Sequence, residues 1–246
     1  MTTRIGIAGI SGRMGKLLTE EVAAAGATLT GGTSRANPDL AALAAQSDVI
    51  VDFTNASTVQ TTASVMAQSG KAWILGTSGL SAADEAAVEA AATKIPVVYA
   101  ANFSAGVNLV LALAERMAAT LPADTYDAEI VEMHHRQKVD APSGTAIGMG
   151  RAVAKGRRQR FEDVMESGRH GHTGARKTGA IGFAALRGGQ VVGEHSLIFA
   201  AGAEHIVLTH RSFDRRTYAT GAVRAAVWAA GKPPRLYSMM DVLEMA

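Results

Sequence analysis

The chain contains no cysteine among its 246 residues. Disulfide bonds, thiolate metal ligands and cysteine nucleophiles are therefore excluded, and the composition fits a reducing cytoplasm. No apolar run reaches the roughly 18 residues that a membrane span requires. The N-terminus also lacks the charged leader and long apolar segment of a signal peptide. The sequence therefore predicts a cytoplasmic protein without a membrane segment.

Aromatic residues and net charge are also scarce, at 5% of the chain and +2. A nucleic-acid-binding protein usually carries a broad basic face interleaved with aromatic side chains. The one basic stretch, residues 155–177, has seven Lys or Arg against three acids. An acidic metabolite explains this local excess better than nucleic acid does. We therefore expect a globular protein whose partner is a small molecule.

A glycine-rich turn follows the first apolar run of the chain. Residues 4–8 predict a strand, and the run Gly9-Ile-Ser-Gly12-Arg-Met-Gly15 leads into an amphipathic helix. Glycines at such a turn let a pyrophosphate approach the backbone at the helix N-terminus. The spacing is G-x-x-G-x-x-G, so a tight turn without a ligand is the alternative. The predicted phosphate-contacting residues are Gly9, Ile10, Ser11, Gly12, Arg13 and Met14.

The end of the second predicted strand indicates which dinucleotide binds. Residues 28–32 form this strand, and Ser34 and Arg35 follow it where an NAD-binding fold usually has an acid. Arg35 could hold a 2′-phosphate and Ser34 could donate to it. The sequence therefore predicts a preference for NADPH, with NADH possible, and a plain surface arginine is the alternative.

Strands and helices then alternate up to residue 103. Strands are expected over 48–53, 72–75 and 96–99, with helices over 58–69 and 81–92, which predicts a parallel sheet. Ligands of such sheets bind outside the carboxyl ends of the strands. Taken singly, each of these strand ends could be an ordinary loop. The residues expected beneath the nicotinamide and its ribose are Gly76, Thr77, Ser78, Ala100, Ala101, Asn102 and Phe103.

The pattern changes after Phe103. A helix over 105–120 is apolar nearly all round, so we expect it to be buried between layers. A strand from Asp127, a helix over 144–154, β runs at 179–186, 190–200 and 204–211, a helix over 217–230 and a short stretch from Met239 follow. The predicted fold class is α/β. It has a Rossmann-like nucleotide-binding domain with a parallel sheet (1–104 and 214–246) and a second α+β domain with an open mixed sheet (105–213).

The densest group of chemically active residues lies in 129–145, Glu-Ile-Val-Glu-Met-His-His-Arg-Gln-Lys-Val-Asp-Ala-Pro-Ser-Gly-Thr. Histidine exchanges protons near neutral pH, lysine binds anions, and Ser-Gly-Thr opens a helix whose amides can do the same. We predict a site that binds an anionic small molecule and moves a proton. A surface His-His pair is the alternative. Adjacent histidines on a strand point to opposite sides, so both face one pocket only if the strand has ended.

The basic segment 157–177 is rich in glycine. We predict a mobile lid that brings Arg169, His172 or Arg176 to a substrate carboxylate, and a solvated hinge is the alternative. His170 and His172 lack the cysteines or clustered carboxylates that would complete a ligand set, so no metal site is predicted.

Several motifs together resemble the dihydrodipicolinate reductase (4-hydroxy-tetrahydrodipicolinate reductase) family, essentially from end to end. They are Gly9-x-x-Gly-Arg-Met-Gly15, Gly76-Thr-Ser-Gly79, Ala101-Asn-Phe103, Glu129-x-x-Glu-x-His134-His-x-x-Lys138-x-Asp-x-Pro-Ser-Gly144-Thr-Ala, Gly171-His-Thr-Gly174 and Val192-Gly-Glu-His195. The resemblance implies an NAD(P)H-dependent reduction of 4-hydroxy-tetrahydrodipicolinate to tetrahydrodipicolinate, in the diaminopimelate route to lysine. It also implies a homotetramer that associates through the sheets of the substrate-binding domain.

The resemblance assigns roles to five residues. The acid/base histidine falls on His134, a second substrate-contacting histidine on His135, and the catalytic lysine on Lys138. The carboxylate-binding amides fall on Gly144 and Thr145. A dicarboxylate substrate needs such a charge and a helix N-terminus, and the ring that accepts a hydride needs a nearby acid.

Two departures and two rival functions accompany this assignment. Ser78 replaces a second threonine but keeps its hydroxyl, and Ser34 replaces the acid of NADH-preferring members. One rival is another two-domain NADP-dependent dehydrogenase, which would place its nucleophile or lysine-aspartate pair elsewhere. The other is a dinucleotide sensor that binds the cofactor without turnover.

Overall fold

The computed structural model describes residues 2–245. The chain divides into two compact units. Unit 1 runs to Ala105 and resumes at Arg216, and unit 2 is Gly106–Arg215.

The helices and strands alternate regularly only in the first part of the chain. Up to Ala105 they are β1 Arg4–Ala8, α1 Arg13–Ala24, β2 Thr28–Gly32, α2 Leu40–Gln46, β3 Val49–Asp52, a 3₁₀ turn Ala56–Thr58, α3 Val59–Ser69, β4 Ala72–Leu75, α4 Ala82–Ala92 and β5 Pro96–Tyr99. Then follow α5 Ala105–Thr120, β6 Asp127–His134, α6 Gly144–Gly156, α7 Phe161–Val164, β7 Met165–Ser167, β8 Ile181–Arg187, β9 Gly193–Ala200 and β10 His205–Ser212. The chain ends with α8 Arg216–Ala229, β11 Arg235–Tyr237 and α9 Met239–Val242.

Unit 1 is built on a parallel sheet of six strands in the order β11-β5-β4-β3-β1-β2. Every residue of β3 and β4 is buried, as expected for strands covered by helices on both faces. Two apolar clusters flank the sheet. One contains residues of α1 and α8, and the other contains residues of α2, α3 and α4. The predicted Rossmann-like parallel sheet is confirmed, and all six strands end at the same edge.

Unit 2 is built on a mixed sheet in the order β10-β9-β6-β8-β7. The pairs β6–β8 and β7–β8 are parallel, whereas β6–β9 and β9–β10 are antiparallel. Burial alternates along the central strand β6, which places Ile130, Glu132 and His134 on the face that packs in the core. This confirms the predicted second domain with an open mixed sheet.

The structure differs from the expectation for α5. The helix buries Val107, Val110 and Ala114, but Leu109 and Leu113 remain 45% and 39% exposed. The expectation that this helix is buried between layers was therefore wrong for the face of Leu109 and Leu113, because apolar composition alone does not show how many faces of a helix are covered.

Four short elements were not predicted. Helix α2 is a run of seven residues, capped by the Asp39 carboxylate, which accepts a hydrogen bond from the Ala42 amide at 2.9 Å. The segment assigned to a lid contains α7 and β7, and β7 forms the edge of the second sheet. Strand β11, just after two prolines, pairs with β5. Elements this short depend on their partners rather than on a sequence period.

Among residues 2–245, no helix is both long enough and apolar enough to cross a bilayer.

Candidate functional site

The glycine turn of unit 1 forms an open cradle in front of α1. Gly9 has φ of +78°, which favours glycine, and a Cβ on Gly15 would lie 2.4 Å from the Gly9 carbonyl oxygen. The helix begins after Gly12, which provides no capping side chain, and its first turn contains no acid. Ser11, Gly12 and Arg13 are exposed. The turn therefore fits the pyrophosphate of a dinucleotide, which would lie against uncapped amides and the Arg13 charge.

The end of β2 lies beside this turn. The amides of Gly9 and Ile10 donate to the Thr33 carbonyl at 3.1 and 3.0 Å. Ser34 and Arg35 follow directly, with Ser34 half-buried and Arg35 exposed. The end of β2 therefore lies next to the glycine turn, as it must if Ser34 and Arg35 are to contact the ribose of a dinucleotide bound at that turn.

A cavity of about 300 Å³ lies at the carboxyl ends of β3 and β4. A Cβ on Gly76 would lie 2.3 Å from the Phe53 ring, so this position accepts no side chain without moving the ring. The buried hydroxyl of Thr77 has no hydrogen-bond partner among the described residues. The lining residues are Phe53, Thr54, Asn55, Ala56, Gly76, Thr77 and Ser78. A polar ligand group fits this cavity because it would satisfy Thr77.

The three residues Ala101, Asn102 and Phe103, which follow β5, differ in exposure. Ala101 is exposed, Asn102 is half-buried and Phe103 is only 1% exposed. The Phe103 ring packs against Phe53 with centroids 5.5 Å apart. Phe103 therefore supports the cavity wall through its contact with Phe53.

In unit 2 a buried carboxylate organises the end of β6. Glu132 is 1% exposed, and its Oε2 lies 2.7 Å from Nδ1 of His134, two residues further along the same face. Arg187 of β8 donates two hydrogen bonds to the same carboxylate, at 2.7 and 2.8 Å. The Ser143 amide donates a fourth, at 3.0 Å. Glu132 therefore connects the catalytic histidine candidate, a neighbouring strand and the start of α6.

The N-terminus of α6 opens beside this carboxylate. Ser143 is its cap, and its hydroxyl accepts a hydrogen bond from the Ala146 amide at 3.3 Å. Gly144 is exposed, and a Cβ built on it meets no atom within 4 Å. With Gly144 and Thr145 in a first turn that contains no acid, this helix end can attract an anion.

His135 and Lys138 lie just past the strand. Strand β6 ends at His134, so the condition under which both histidines can serve one pocket is met. Nδ1 of His135 is buried without a hydrogen-bond partner among the described residues. Nζ of Lys138 lies 2.8 Å from the exposed carboxylate of Asp140. An incoming anion can compete for this lysine because such exposed pairs contribute only about 0–1 kcal/mol.

The charge states in this cluster follow from burial and hydrogen bonding. Burial alone would raise the pKa of Glu132, but the bonds from Arg187, His134 and Ser143 outweigh it and leave this pKa below its usual value. Burial, assisted by the charges of Lys138 and Arg187, lowers the pKa of His134 despite its hydrogen bond to Glu132. Burial, assisted by His134, lowers the pKa of His195 to about 4. The carboxylate is therefore ionised and both histidines are neutral near pH 7.

Comparison with known proteins gives the family. The model for the dihydrodipicolinate reductase N-terminus matches residues 3–103, and the model for its C-terminus matches residues 106–243. The chain belongs to the dihydrodipicolinate reductase family. It is accordingly an oxidoreductase, and the resemblance inferred from the motifs is confirmed.

Individual relatives support the same family. A 4-hydroxy-tetrahydrodipicolinate reductase from Granulibacter bethesdensis is 66% identical, covering 98% of this chain and 97% of the relative. One from Acidiphilium cryptum is 62% identical with the same coverage of both chains. Among solved structures, a dipicolinate-bound dihydrodipicolinate reductase from a Paenisporosarcina species has a TM-score of 0.75 at 21% identity, covering 98% of this chain and 99% of that one. At that identity the structure supports the fold alone.

Sequence reasoning missed part of this reductase family member's polar cluster. Glu132 and His195 stood within the quoted motifs without a role, and Ser143 was considered only as part of the helix start. Arg187 was not singled out. Period-two alternation along β6 could have grouped Glu132 with His134, because both lie on one face. No sequence signal links Arg187 to Glu132, because the two are 55 residues apart.

The proposed lid residues lie elsewhere. Arg169 donates two hydrogen bonds to Glu129, at 3.1 and 3.0 Å, and Arg176 donates one at 2.8 Å. Glu129 lies on the face of β6 opposite Glu132 and His134. The structure thus brings both arginines to the open side of the sheet, while His172 is exposed. Their movement to a substrate stays a prediction.

Among the described residues there is no group of three His, Asp or Glu side chains that could hold a metal ion.

Proposed function

We propose that the chain reduces 4-hydroxy-tetrahydrodipicolinate to tetrahydrodipicolinate with NAD(P)H, in the diaminopimelate route to lysine. The observation that carries the proposal is the pairing of buried His134 with ionised Glu132 beside the N-terminus of α6. A proton-exchanging group next to an anion-binding helix end is what a dicarboxylate reductase needs. Relatives of 66% and 62% identity that carry this activity in their names support the substrate.

The substrate would be held through its carboxylates. Lys138 supplies a point charge, and the first turn of α6, at Gly144 and Thr145, supplies amides and the positive end of the helix. His135 would provide a further contact through its buried Nδ1, which has no hydrogen-bond partner among residues 2–245. The dipicolinate bound to the Paenisporosarcina relative is a dicarboxylate of the same class and supports this choice.

The dinucleotide, when bound, supplies the hydride. Its pyrophosphate would lie at Gly9, Ile10, Ser11, Gly12, Arg13 and Met14. The cavity and the segment after β5 would receive the nicotinamide end through Gly76, Thr77, Ser78, Ala100, Ala101, Asn102 and Phe103. Ser34 and Arg35 favour NADPH over NADH, because they present hydroxyl and guanidinium donors where a carboxylate would repel the 2′-phosphate.

His134 would provide the proton. Hydride addition leaves an electron pair on the substrate, and the Nε2–H bond of protonated His134 breaks as that pair takes the proton, leaving neutral His134. His134 is neutral in the free protein, since burial lowers its pKa. The negative charge of a bound dicarboxylate would favour the protonated form, so the acid would be formed where it is used.

The open face of the second sheet supports assembly. Its apolar side chains point away from the core of unit 2, and Leu186 and Val207 are 50% and 56% exposed. We infer a homotetramer that associates through this face, because another sheet that covers it would bury these exposed apolar side chains. We call it the open sheet face, and its apolar residues are Val131, Met133, Ala184, Leu186, Ile198 and Val207.

A coupled assay tests the activity. The product of dihydrodipicolinate synthase is supplied and NADPH oxidation is followed for wild type, His134→Gln and Lys138→Ala. We expect kcat to fall by about 100-fold or more for His134→Gln, the usual contribution of a general acid. Lys138→Ala should mainly raise KM. Lys155→Ala is the control, because Lys155 forms an exposed pair with Glu115 and should leave both constants unchanged.

The same assay separates the rival functions. Cofactor binding without turnover of the synthase product would favour a dinucleotide sensor. Turnover that survives both substitutions would favour a dehydrogenase whose chemistry lies elsewhere in the chain.

A further inference from the structure

Glu132 is held more firmly than its partner histidine requires. It accepts four hydrogen bonds: one from His134 on its own strand, two from Arg187 on β8, and one from the Ser143 amide at the cap of α6. At 1% exposure, water cannot replace these donors. The position of the carboxylate is therefore fixed before any ligand binds.

An ionised carboxylate can only accept hydrogen bonds. At 2.7 Å from Glu132, Nδ1 of His134 must therefore be the donor, and neutral His134 then carries its hydrogen on Nδ1. Its Nε2 is left with a lone pair. An ideal Cβ on residue 193 would approach this nitrogen to 3.1 Å, so Gly193 leaves room beside it.

We infer that Glu132 is a positioning residue: clamped by Arg187 and Ser143, it holds His134 in the Nδ1–H form, so that Nε2 alone takes up and delivers the reaction's proton. The proton that reaches Nε2 is the one donated to the substrate, and Nδ1–H never leaves Glu132. The kinetic part of this inference rests on the proposed function, whereas the tautomer does not.

Arg187 has a second consequence. By sharing the carboxylate, it offsets part of the negative charge that would otherwise keep His134 protonated. The other charged or titratable groups that face His134 are Lys138 in the following loop and His195 on β9, whose ring centroid lies 5.0 Å away. His195 is itself hydrogen-bonded to Ser143 at 2.9 Å and faces His210 of β10. The first turn of α6 adds no acid. Glu132 is thus the one carboxylate that these residues present to His134.

The tautomer can be measured without any activity. In protein labelled with ¹⁵N-histidine, long-range ¹H–¹⁵N spectra distinguish protonated from bare ring nitrogens, and the His134 signals are those lost in His134→Gln. At pH 8 we expect a protonated Nδ1 and a bare Nε2. A bare Nδ1 with a protonated Nε2 would overturn the inference.

Kinetics test the consequence. An acid acts only while protonated, so kcat should fall as pH rises through the pKa of His134 in the complex. Removing the carboxylate charge lowers that pKa, so Glu132→Gln should move this descending limb to lower pH and reduce kcat at pH 8 by about 100-fold. Glu194→Gln is the matched control, since Glu194 lies on the adjacent strand, on the opposite face, and pairs with Arg211. The descending limb of its kcat–pH profile should stay at the wild-type pH.

A structural role alone predicts a different outcome. It would lower the melting temperature or raise KM and leave the pH limb in place, which would overturn the inference. Because Glu132→Gln leaves half-buried Arg187 beside a neutral partner, the double variant Glu132→Gln with Arg187→Met guards against misfolding. It should bind dipicolinate and still show the limb at lower pH. If wild type reduces no synthase product, the proposed function fails, and the tautomer measurement still decides the role of Glu132.

Discussion

The pKa of His195 is lowered by the surroundings of its buried side chain. His195 is 4% exposed, and its Nε2 lies 2.9 Å from the Ser143 hydroxyl. Burial, with His134 nearby, lowers its pKa to about 4. In the unfolded chain the pKa of His195 is near 6.5. Between pH 4 and pH 6.5 the unfolded chain is therefore protonated at His195, whereas the folded chain is not. The stability associated with neutral His195 is therefore complete above pH 6.5 and lost as pH falls toward 4.

This difference predicts an acid sensitivity. Between pH 6.5 and 4.5 we expect the wild type to lose about 2–3 kcal/mol more unfolding free energy than His195→Gln, which keeps a hydrogen-bonding group near Ser143 but does not titrate. Urea unfolding at several pH values measures it. His205→Gln, an exposed histidine on β10, should keep the wild-type slope. Equal slopes for wild type and His195→Gln would contradict the prediction.

Arg35 is the residue to which we assign the proposed preference for NADPH. Removing its charge should raise KM for NADPH by about tenfold or more, corresponding to one charge-assisted hydrogen bond, and should leave KM for NADH nearly unchanged. Steady-state kinetics with both cofactors measure the ratio. Arg136→Ala, an exposed arginine of unit 2, is the control. A wild type that prefers NADH and ignores Arg35→Ala would refute the assignment.

Helix α8 illustrates how packing distances constrain an element. It lies against the backbone after β5, where a Cβ on Gly221 would approach the Phe103 carbonyl oxygen to 1.8 Å. No flexible side chain can yield at that point, so the helix or the 100–103 segment must move. Gly148 in α6 offers a contrast, because a Cβ there would meet only Leu111, at an ordinary 3.5 Å.

The two glycines therefore predict opposite effects. Gly221→Ala should destabilise unit 1 by about 1–3 kcal/mol, the usual cost of overpacking, and weaken NADPH binding by displacing the segment after β5. Gly148→Ala should be neutral or stabilising by up to about 1 kcal/mol, because alanine favours a helix interior. Denaturant unfolding and cofactor titration measure both. If Gly221→Ala is as stable as Gly148→Ala, α8 can shift away from the Phe103 carbonyl without cost, and the prediction is wrong.

At the scale of the whole molecule, the proposed tetramer depends on the open sheet face. A charge placed in the middle of an apolar interface must be desolvated without a partner, which is costly. We therefore expect wild type to have a tetramer mass by light scattering, and Val207→Glu to form smaller species with an unchanged circular dichroism spectrum. Val227→Glu, a similarly exposed valine on α8, should remain a tetramer. A monomeric wild type would refute the assembly.

Local periodicity in the sequence was enough to predict most of the architecture. Apolar strands such as Val49–Asp52 alternate with amphipathic helices, and the glycine turn opens the first of them, so the parallel sheet could be inferred. The His134, Lys138 and Ser-Gly-Thr group is contiguous, so a site that moves a proton and binds an anion could be predicted there, and its chemistry stays a prediction. These features are encoded within about a dozen residues, the range over which side-chain spacing specifies structure.

Contacts between distant residues were decided only by the tertiary structure. The clamp on Glu132 joins β6 to Arg187, 55 residues away, and to the cap of α6. The exposure of Leu109, the pairing of β11 with β5, and the attachment of Arg169 and Arg176 to Glu129 likewise depend on which elements meet. A single sequence specifies what each segment can bury or bind. The packing of the strands determines which segments contact each other. In the proposed mechanism it therefore also determines which ring nitrogen of His134 exchanges the proton.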